Sequence, residues 1–341
     1  MSETHTTDVL IVGAGPVGLF AIFQCGMLGM RCHVVDALDA AGGQCTALYP
    51  EKPIYDIPGY PRIDAGALVD ELVAQAAPFE PVYHFGQQVV ALDKQEGGGF
   101  LAQTSTGERI AARAVIVAAG AGAFGPNRPP LNDLEAYEAT GAVRYFVTRR
   151  ADFAGKRVVV AGGGDSAVDW AVSLSEVAAH VAIVHRRDKF RAAPEMVARL
   201  RALAEAGKVE MVVPFQLSRL EGGDDGTLDT VIVKDLAGEE RRLAADVLLP
   251  FYGLAMTLGP IAEWGLALER NHVLIDQATA ETNVPGIFAV GDIATYPHKL
   301  KLILTGFAEA ASAAHAIHPL VHPGEALHFE YSTTKGVPGA A

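Results

Sequence analysis

Two stretches of the chain share one pattern of apolar and polar positions. Residues 8–12 (DVLIV) and 157–161 (RVVVA) are β-branched apolar runs of strand length. Each passes through a glycine turn into small and apolar residues that predict a helix. A second apolar strand follows each helix, CHVVDA (32–37) and VAIVHRR (181–187). Strand, helix and strand in this order describe a βαβ unit.

Beyond each unit the period changes to that of a meander. After the first come a helix at about 65–77 and strands around VVALDKQ (89–95), FLAQTS (100–105) and ERIAA (108–112), separated by the turn signals EGGG and TGE. The buried strand AVIVAAG (114–120) closes the plan. From Lys156 the plan repeats, with a meander over 215–235 and a closing strand ADVLLPFYG (245–253). A further buried strand within VPGIFAVGDIA (284–294) has no meander of its own and must rejoin the first sheet. The predicted fold is therefore α/β, with two Rossmann-like three-layer βαβ domains carrying β-meanders. One consists of residues 1–120 and 283–341, and the other, 121–282, is inserted into it. The boundaries fall near the turn-rich segments 122–130 and 281–286. The segment 41–61, rich in Gly, Pro and Tyr and lacking periodicity, has the length of a functional loop.

Bulk properties narrow the classes. A chain of 341 residues accommodates two or three domains. No apolar run approaches the ~18 residues of a membrane span. The start MSETHTTDVLIVG has no basic region ahead of an apolar one, so neither signal nor transit peptide is expected and the default compartment is the cytoplasm. A net charge of −13, from 27 basic and 40 acidic residues without a basic stripe, argues against nucleic acid as a partner. Cys25, Cys32 and Cys45 form neither a CxxC pair nor a metal-spaced set and read as packing residues. None of the 11 histidines falls in a metal spacing such as HxxxH on a clear helix face; His298, His315, His318 and His322 read as surface or packing residues, and no metal is expected.

The candidate chemistry lies in the two glycine turns. The first carries Gly13, Gly15, Pro16 and Gly18; the second carries Gly162, Gly164, Asp165, Ser166 and Ala167. In such a fingerprint the first glycine makes the turn and the second admits a pyrophosphate. The third position lets helix and strand pack closely, and the helix N-terminus faces the phosphates. Twenty-three residues beyond the first glycine stand Asp36 in one copy and His185, followed by Arg186 and Arg187, in the other. A carboxylate there suits a free ribose hydroxyl, whereas arginines suit a 2′-phosphate. Arg191, one turn along, is a second clamp. One site therefore wants an unphosphorylated adenosine and the other wants NADP.

GAGPVG with Asp36, GGGDSA with HRRDKFRA (185–192), and FAVGDIA with Asp292 together resemble the two-dinucleotide flavoproteins of the thioredoxin reductase type. The resemblance implies FAD in the discontinuous domain and NADPH in the inserted one. It implies that Gly13, Gly15, Gly18 and Asp36 hold the FAD adenosine and pyrophosphate, and that Asp292 holds the ribityl-phosphate side. The alternative reading of Asp292 is a turn residue or a helix N-cap before ATYPHKL. The stretch where such reductases carry a CxxC (141–158) has no cysteine, and GGQCTALYP offers Cys45 alone. With no second thiol in reach, an internal disulfide relay is excluded.

GGQCTALYPEKPIYDIPGYP (42–61) and YSTTKG (331–336) are similar to the ferredoxin–NADP⁺ reductases of the thioredoxin-reductase-like class. That resemblance implies an enzyme that takes a hydride from NADPH onto FAD and passes single electrons to ferredoxin or flavodoxin, as a homodimer. It places Tyr49 and Tyr331 on the two flavin faces and Gln44, Val89, Phe124 and Thr333 among the FAD contacts. Lys52, Lys299, Lys301 and Lys335 are expected to border the flavin and attract an acidic partner. Two alternatives remain open at this level: a related flavoprotein that reduces oxygen, free flavin or a small disulfide, and a non-catalytic FAD/NADPH redox sensor.

Overall fold

The computed structural model describes residues 4–120, 122–327 and 336–337, with the side chains of 123, 124 and 254–256 outside the description. It divides into two compact units. One holds the residues up to Phe124 and those from Met256 onward, and the other holds Gly125–Ala255.

The first unit is built on a seven-stranded sheet. Its parallel part runs Val82–His84, Cys32–Val35, Thr4–Val12, Arg109–Val117, with Ile287–Ala289 added on the far side of Arg109–Val117. The first strand therefore sits centrally and the order reverses beside it, which opens a crevice at the strand C-termini. The two strands expected over 108–112 and 114–120 are one nine-residue strand, Arg109–Val117. Its first half alternates buried and open positions and pairs antiparallel with Phe100–Thr104 in the meander. Its second half is buried throughout and pairs in parallel with Thr4–Val12 and Ile287–Ala289. A change of hydrophobic period within a single strand thus marks its passage from a half-covered layer to a fully covered one.

Helices Pro16–Met27, Ala65–Ala76 and Ile303–Val321 contribute Leu19, Ile22, Leu68, Leu72 and Ile317 to a core that includes Val9, Ile11 and Ile116 of the sheet. On the opposite face, Leu10, Val12, Val115 and Val117 pack with Leu258, Ile261, Leu266 and Val273. This second cluster explains why the chain from Met256 onward joins the first unit, whereas the turn formers of 281–286 suggest a boundary near 282. His272–Leu274 pairs with both Leu268–Glu269 and Ala294–Thr295, and its Val273 covers the sheet.

The second unit repeats the plan with a four-stranded parallel sheet. Its order is Glu210–Val212, His180–Val184, Arg157–Ala161, Val247–Pro250. An antiparallel meander of Gln216–Gly222, Leu228–Lys234 and Glu240–Ala244 packs Leu228, Val231, Val233 and Leu243 against Val159, Ala161 and Val184. Among the described residues no helix is long and apolar enough to cross a membrane.

Candidate cofactor-binding sites

In the first unit, strand Thr4–Val12 ends in a turn whose three glycines have different physical reasons to be glycine. Gly13 has φ +111°, and a Cβ there would lie 2.4 Å from the Ala118 carbonyl oxygen. A Cβ on Gly18 would lie 2.0 Å from the Gly13 carbonyl oxygen, so this position sets the approach of helix to turn. Gly15, with φ −70°, has nothing within 4 Å of its ideal Cβ position. Its lack of a side chain leaves room for a ligand. Gly15 caps helix Pro16–Met27 without any side-chain hydrogen bond, and Pro16 fills the first helical position, where no N–H is needed. The free first-turn N–H groups and the positive end of the helix dipole face that space, as a pyrophosphate requires. Gly15→Val should therefore fold with near-native stability yet lose FAD, while Gly18→Val should unfold. Thermal unfolding together with flavin content after gel filtration checks both.

Asp36 follows Cys32–Val35 at the crevice. Its Oδ2 accepts the Ala14 N–H at 2.6 Å and its Oδ1 accepts the Leu38 N–H at 2.8 Å. The carboxylate thus braces the glycine turn. Each oxygen keeps a further lone pair for a ribose hydroxyl. Burial raises its pKa above the ordinary aspartate value, against the pull of those two backbone donors.

A cleft of about 400 Å³ gathers the residues that the sequence points to. Gly13, Gly15, Pro16, Asp36, Gln44, Tyr49, Val89 and Asp292 all line it. Gly18 stays outside as a packing residue, and Phe124 lies in the strand Ala123–Pro126 with its side chain outside the description. Tyr331, Thr333 and Lys335 lie outside the described residues. Segment 41–61 is more regular than its composition suggests. Gln44–Ala47 is a short helix, Pro53–Ile54 pairs with Ile63–Asp64, and Pro50 and Lys52 carbonyls accept the N–H groups of Gly66 and Ala65. These ties fix Tyr49, whose ring packs on the helix-side core with the Lys52 ammonium 5.8 Å from its centroid. Burial raises the Tyr49 phenol, and it raises the Cys45 thiol beside it to about 11. Cys45 is therefore a protonated thiol at neutral pH, without the thiolate that disulfide exchange needs.

Cys25 and Cys32 correct the sequence argument. Their thiols interact in the core, and this interaction together with burial raises the Cys32 pKa. Both are free, buried in the helix-side core and absent from the cleft lining. A pair of thiols exists, but the core encloses it away from the site.

Asp292 sits in the turn Gly291–Ile293 without capping any helix. The residue before it is held by a device that sequence spacing does not reveal. Lys299 Nζ donates to the Gly291 carbonyl at 2.6 Å and to both Glu309 oxygens at 2.6 and 2.8 Å; Glu309 Oε2 also accepts the Gly291 N–H at 2.8 Å. Both charged side chains are 5% exposed. Burial lowers the Lys299 pKa, opposed by Glu309. Lys299 is thus a structural cation, not a docking residue. Lys301 is exposed beside His272 Nε2 and Lys52 lies at Tyr49.

The second unit repeats the turn. Gly162 (φ +152°) would bring a Cβ to 2.7 Å from the Phe251 carbonyl oxygen, Ala167 packs beneath it, and Gly164 again faces open space. The Gly162 N–H bonds the Val184 carbonyl as the Gly13 N–H bonds that of Val35, so His185 and Asp36 occupy equivalent slots. The His185 ring covers Gly163, where a Cβ would lie 2.3 Å from it. Loop 186–193 folds back over the turn: the Arg191 N–H donates to the Gly163 carbonyl at 2.7 Å, and the Ala193 N–H to Asp165 Oδ1 at 2.9 Å. Arg186, Arg187, Arg191 and Ser166 are exposed around the helix N-terminus, and none of the three arginines has a carboxylate partner among the described residues. Burial, then the charges of Arg186, Arg191 and Arg187, lower the His185 pKa, against a backbone hydrogen bond at Lys189 that raises it.

A family model described as pyridine nucleotide-disulphide oxidoreductase matches residues 7–316. A curated relative from Paramagnetospirillum magneticum, named ferredoxin–NADP reductase, is 66% identical over 98% of both chains. One of the same name from Gluconobacter oxydans is 63% identical over 99% of this chain and 98% of its own. Among solved structures, the thioredoxin reductase of T. acidophilum superposes with a TM-score of 0.79 at 25% identity, covering 92% of this chain and 98% of its own. That of Lactococcus lactis gives 0.78 at 26%, covering 93% and 99%. With its two glycine turns inside the matched region, the chain belongs to the pyridine nucleotide-disulphide oxidoreductase family.

Proposed function

We propose that the protein is a ferredoxin–NADP⁺ reductase that binds FAD in its first unit and NADPH in its second. The observation that carries this reading is the pair of glycine turns, each with an open second glycine, that differ at the equivalent slots Asp36 and His185–Arg187. Relatives above 60% identity that bear the ferredoxin–NADP reductase name support it. The chemistry supplied by bound FAD is acceptance of a hydride from NADPH and release of the two electrons singly to an iron–sulfur carrier.

The protein's own residues bind and orient. Gly13, Gly15, Pro16 and Gly18 shape the pyrophosphate cradle, Asp36 holds the ribose, and Asp292 with Gln44 and Val89 lines the rest of the cleft. Tyr49 supplies an aromatic face that excludes water, the role the family gives to one side of the flavin ring. On the other nucleotide, Gly162, Gly164, Asp165, Ser166 and Ala167 form the cradle. Arg186, Arg187 and Arg191 surround the place of a 2′-phosphate. Tyr331 and Thr333, and a role for Phe124, belong to this proposal through the family resemblance. The test is electron transfer from NADPH to a ferredoxin, run against oxygen and small disulfides as acceptors. Faster turnover with a disulfide than with ferredoxin would refute the assignment.

The buried thiols give a second check. A variant with Cys25, Cys32 and Cys45 all changed to alanine should keep NADPH-driven ferredoxin reduction, at a lower unfolding temperature from the small cavities left in the core. Loss of turnover in a folded, FAD-loaded triple variant would make a thiol part of the electron path.

A further inference from the structure

Outside the cleft, four titratable side chains from four separated stretches of sequence converge in the first unit. His5 lies on Thr4–Val12, His33 on Cys32–Val35 and His84 on Val82–His84, while Glu108 directly precedes Arg109–Val117. His84 Nδ1 stands 2.7 Å from Glu108 Oε2, and its Nε2 stands 3.0 Å from His33 Nδ1. The His5 ring centroid is 5.2 Å from that of His84 and 5.7 Å from that of His33. One ligand atom from each of His5, His84 and Glu108 lies within 4.8 Å of the other two. His84 is buried, whereas His5, His33 and Glu108 are half-buried, so the cluster is reachable from solvent.

Two imidazoles and one carboxylate are the donor set of an open three-ligand site for a borderline divalent ion, with water in the remaining position. Bonds of about 2.0–2.1 Å in a tetrahedron put ligand atoms about 3.3 Å apart, so His84 Nδ1 and Glu108 Oε2, now 2.7 Å apart, would separate slightly while His5 closes in, adjustments that rotation of the half-buried His5 and Glu108 side chains can provide. We propose that His5, His84 and Glu108 bind a divalent first-row transition-metal ion, with His33 as the partner that orients His84. Ligation through His84 Nδ1 leaves its Nε2–H to donate to His33 Nδ1, the outer hydrogen bond that metal-binding imidazoles commonly make.

The ion would clamp the first strand to the wall of the cleft. The His84 carbonyl accepts the Asp36 N–H at 3.1 Å. Gln87 and Val89, a few residues on, line the cleft, and Gln87 Oε1 accepts a hydrogen bond from Thr106 in the turn that carries Glu108. Binding to the folded chain raises its stability by mass action.

The test is calorimetric titration of the full-length, metal-stripped, FAD-loaded protein with zinc chloride, paired with zinc-edge X-ray absorption. One equivalent should bind with only nitrogen and oxygen neighbours, and zinc should raise the unfolding temperature. His5→Ala and Glu108→Gln, both at half-buried positions, should each weaken binding by more than the roughly 10–100-fold expected of His33→Ala, whose effect is indirect. Their unfolding temperatures without metal serve as the check on folding. Absence of a stoichiometric site, equal affinity in the His5 and Glu108 variants, or a sulfur shell in the absorption spectrum would overturn the proposal.

Discussion

Lys299→Met should be among the most destabilising single substitutions in the chain, lowering stability by about 3–5 kcal/mol, the cost of leaving one member of a buried ion pair uncompensated. The Glu309 carboxylate would keep the Gly291 N–H but lose the ammonium that contacts both its oxygens. For a unit of this size that loss corresponds to roughly 6–20 °C in unfolding temperature. Adding Glu309→Gln should recover much of it, because the neutral amide still accepts from Gly291 while no charge remains buried. Both variants free the Gly291 carbonyl from Lys299, and so loosen the turn that aims Asp292 into the cleft. Flavin release on dilution should therefore be faster in both, even where the double variant regains stability. Thermal unfolding followed by circular dichroism, with flavin fluorescence as the second signal, reads both effects. A single variant that unfolds at the wild-type temperature would mean that the pair contributes nothing net.

This pair also shows where reading the sequence stops. The glycine turns are legible because their logic is local: strand, turn and helix lie within about 20 residues, Gly13 and Gly18 each answer a close backbone contact, and Gly15 keeps the space at the helix N-terminus open. Lys299 lies in a polar segment, PHKLK, whose composition reads as exposed. Its burial is decided by Glu309, on the far side of a turn and inside an otherwise apolar helix. A carboxylate in the run GFAEAASAAHAI was the available signal, since a charge on an apolar face needs a partner.

The same distinction applies elsewhere. The place of Asp36 at the crevice is legible from its distance to Gly13, but its hydrogen bonds to Ala14 and Leu38 belong to the folded turn. Cys25 and Cys32 show no motif spacing, yet a helix followed by a parallel strand brings their thiols together in the core. His5, His33, His84 and Glu108 have no helical or loop spacing because adjacent strands of a sheet, not neighbouring residues, assemble them. Around residues 256–282 the turn formers mark possible breaks, whereas the apolar side chains Leu258, Ile261 and Val273 determine which sheet the segment covers.

The double variant Arg186→Ala/Arg187→Ala should cost about 2–4 kcal/mol of NADPH binding, the order of two charge-assisted contacts to a phosphate. That is roughly a 30- to 1000-fold rise in Kd. NADH binding should change little, because the glycine cradle, the helix N-terminus and the covering His185 ring are untouched. The exposure of both guanidinium groups makes the experiment clean: neither has a carboxylate partner among the described residues, so their removal leaves no buried charge behind and the fold should be retained. Arg191 differs. Its backbone N–H secures the loop to Gly163, so Arg191→Ala should retain that tie and lose only the side-chain clamp, with a smaller effect than the double variant. Raising the ionic strength should narrow the NADPH preference of the wild-type protein and leave that of the double variant nearly flat, since screening acts on the charge contacts alone. Stopped-flow binding of both nucleotides, across salt concentrations, measures each of these differences. Equal losses for NADPH and NADH would show that the arginines support the loop instead of reading the 2′-phosphate, and the assignment of the second unit to NADPH would fall with them.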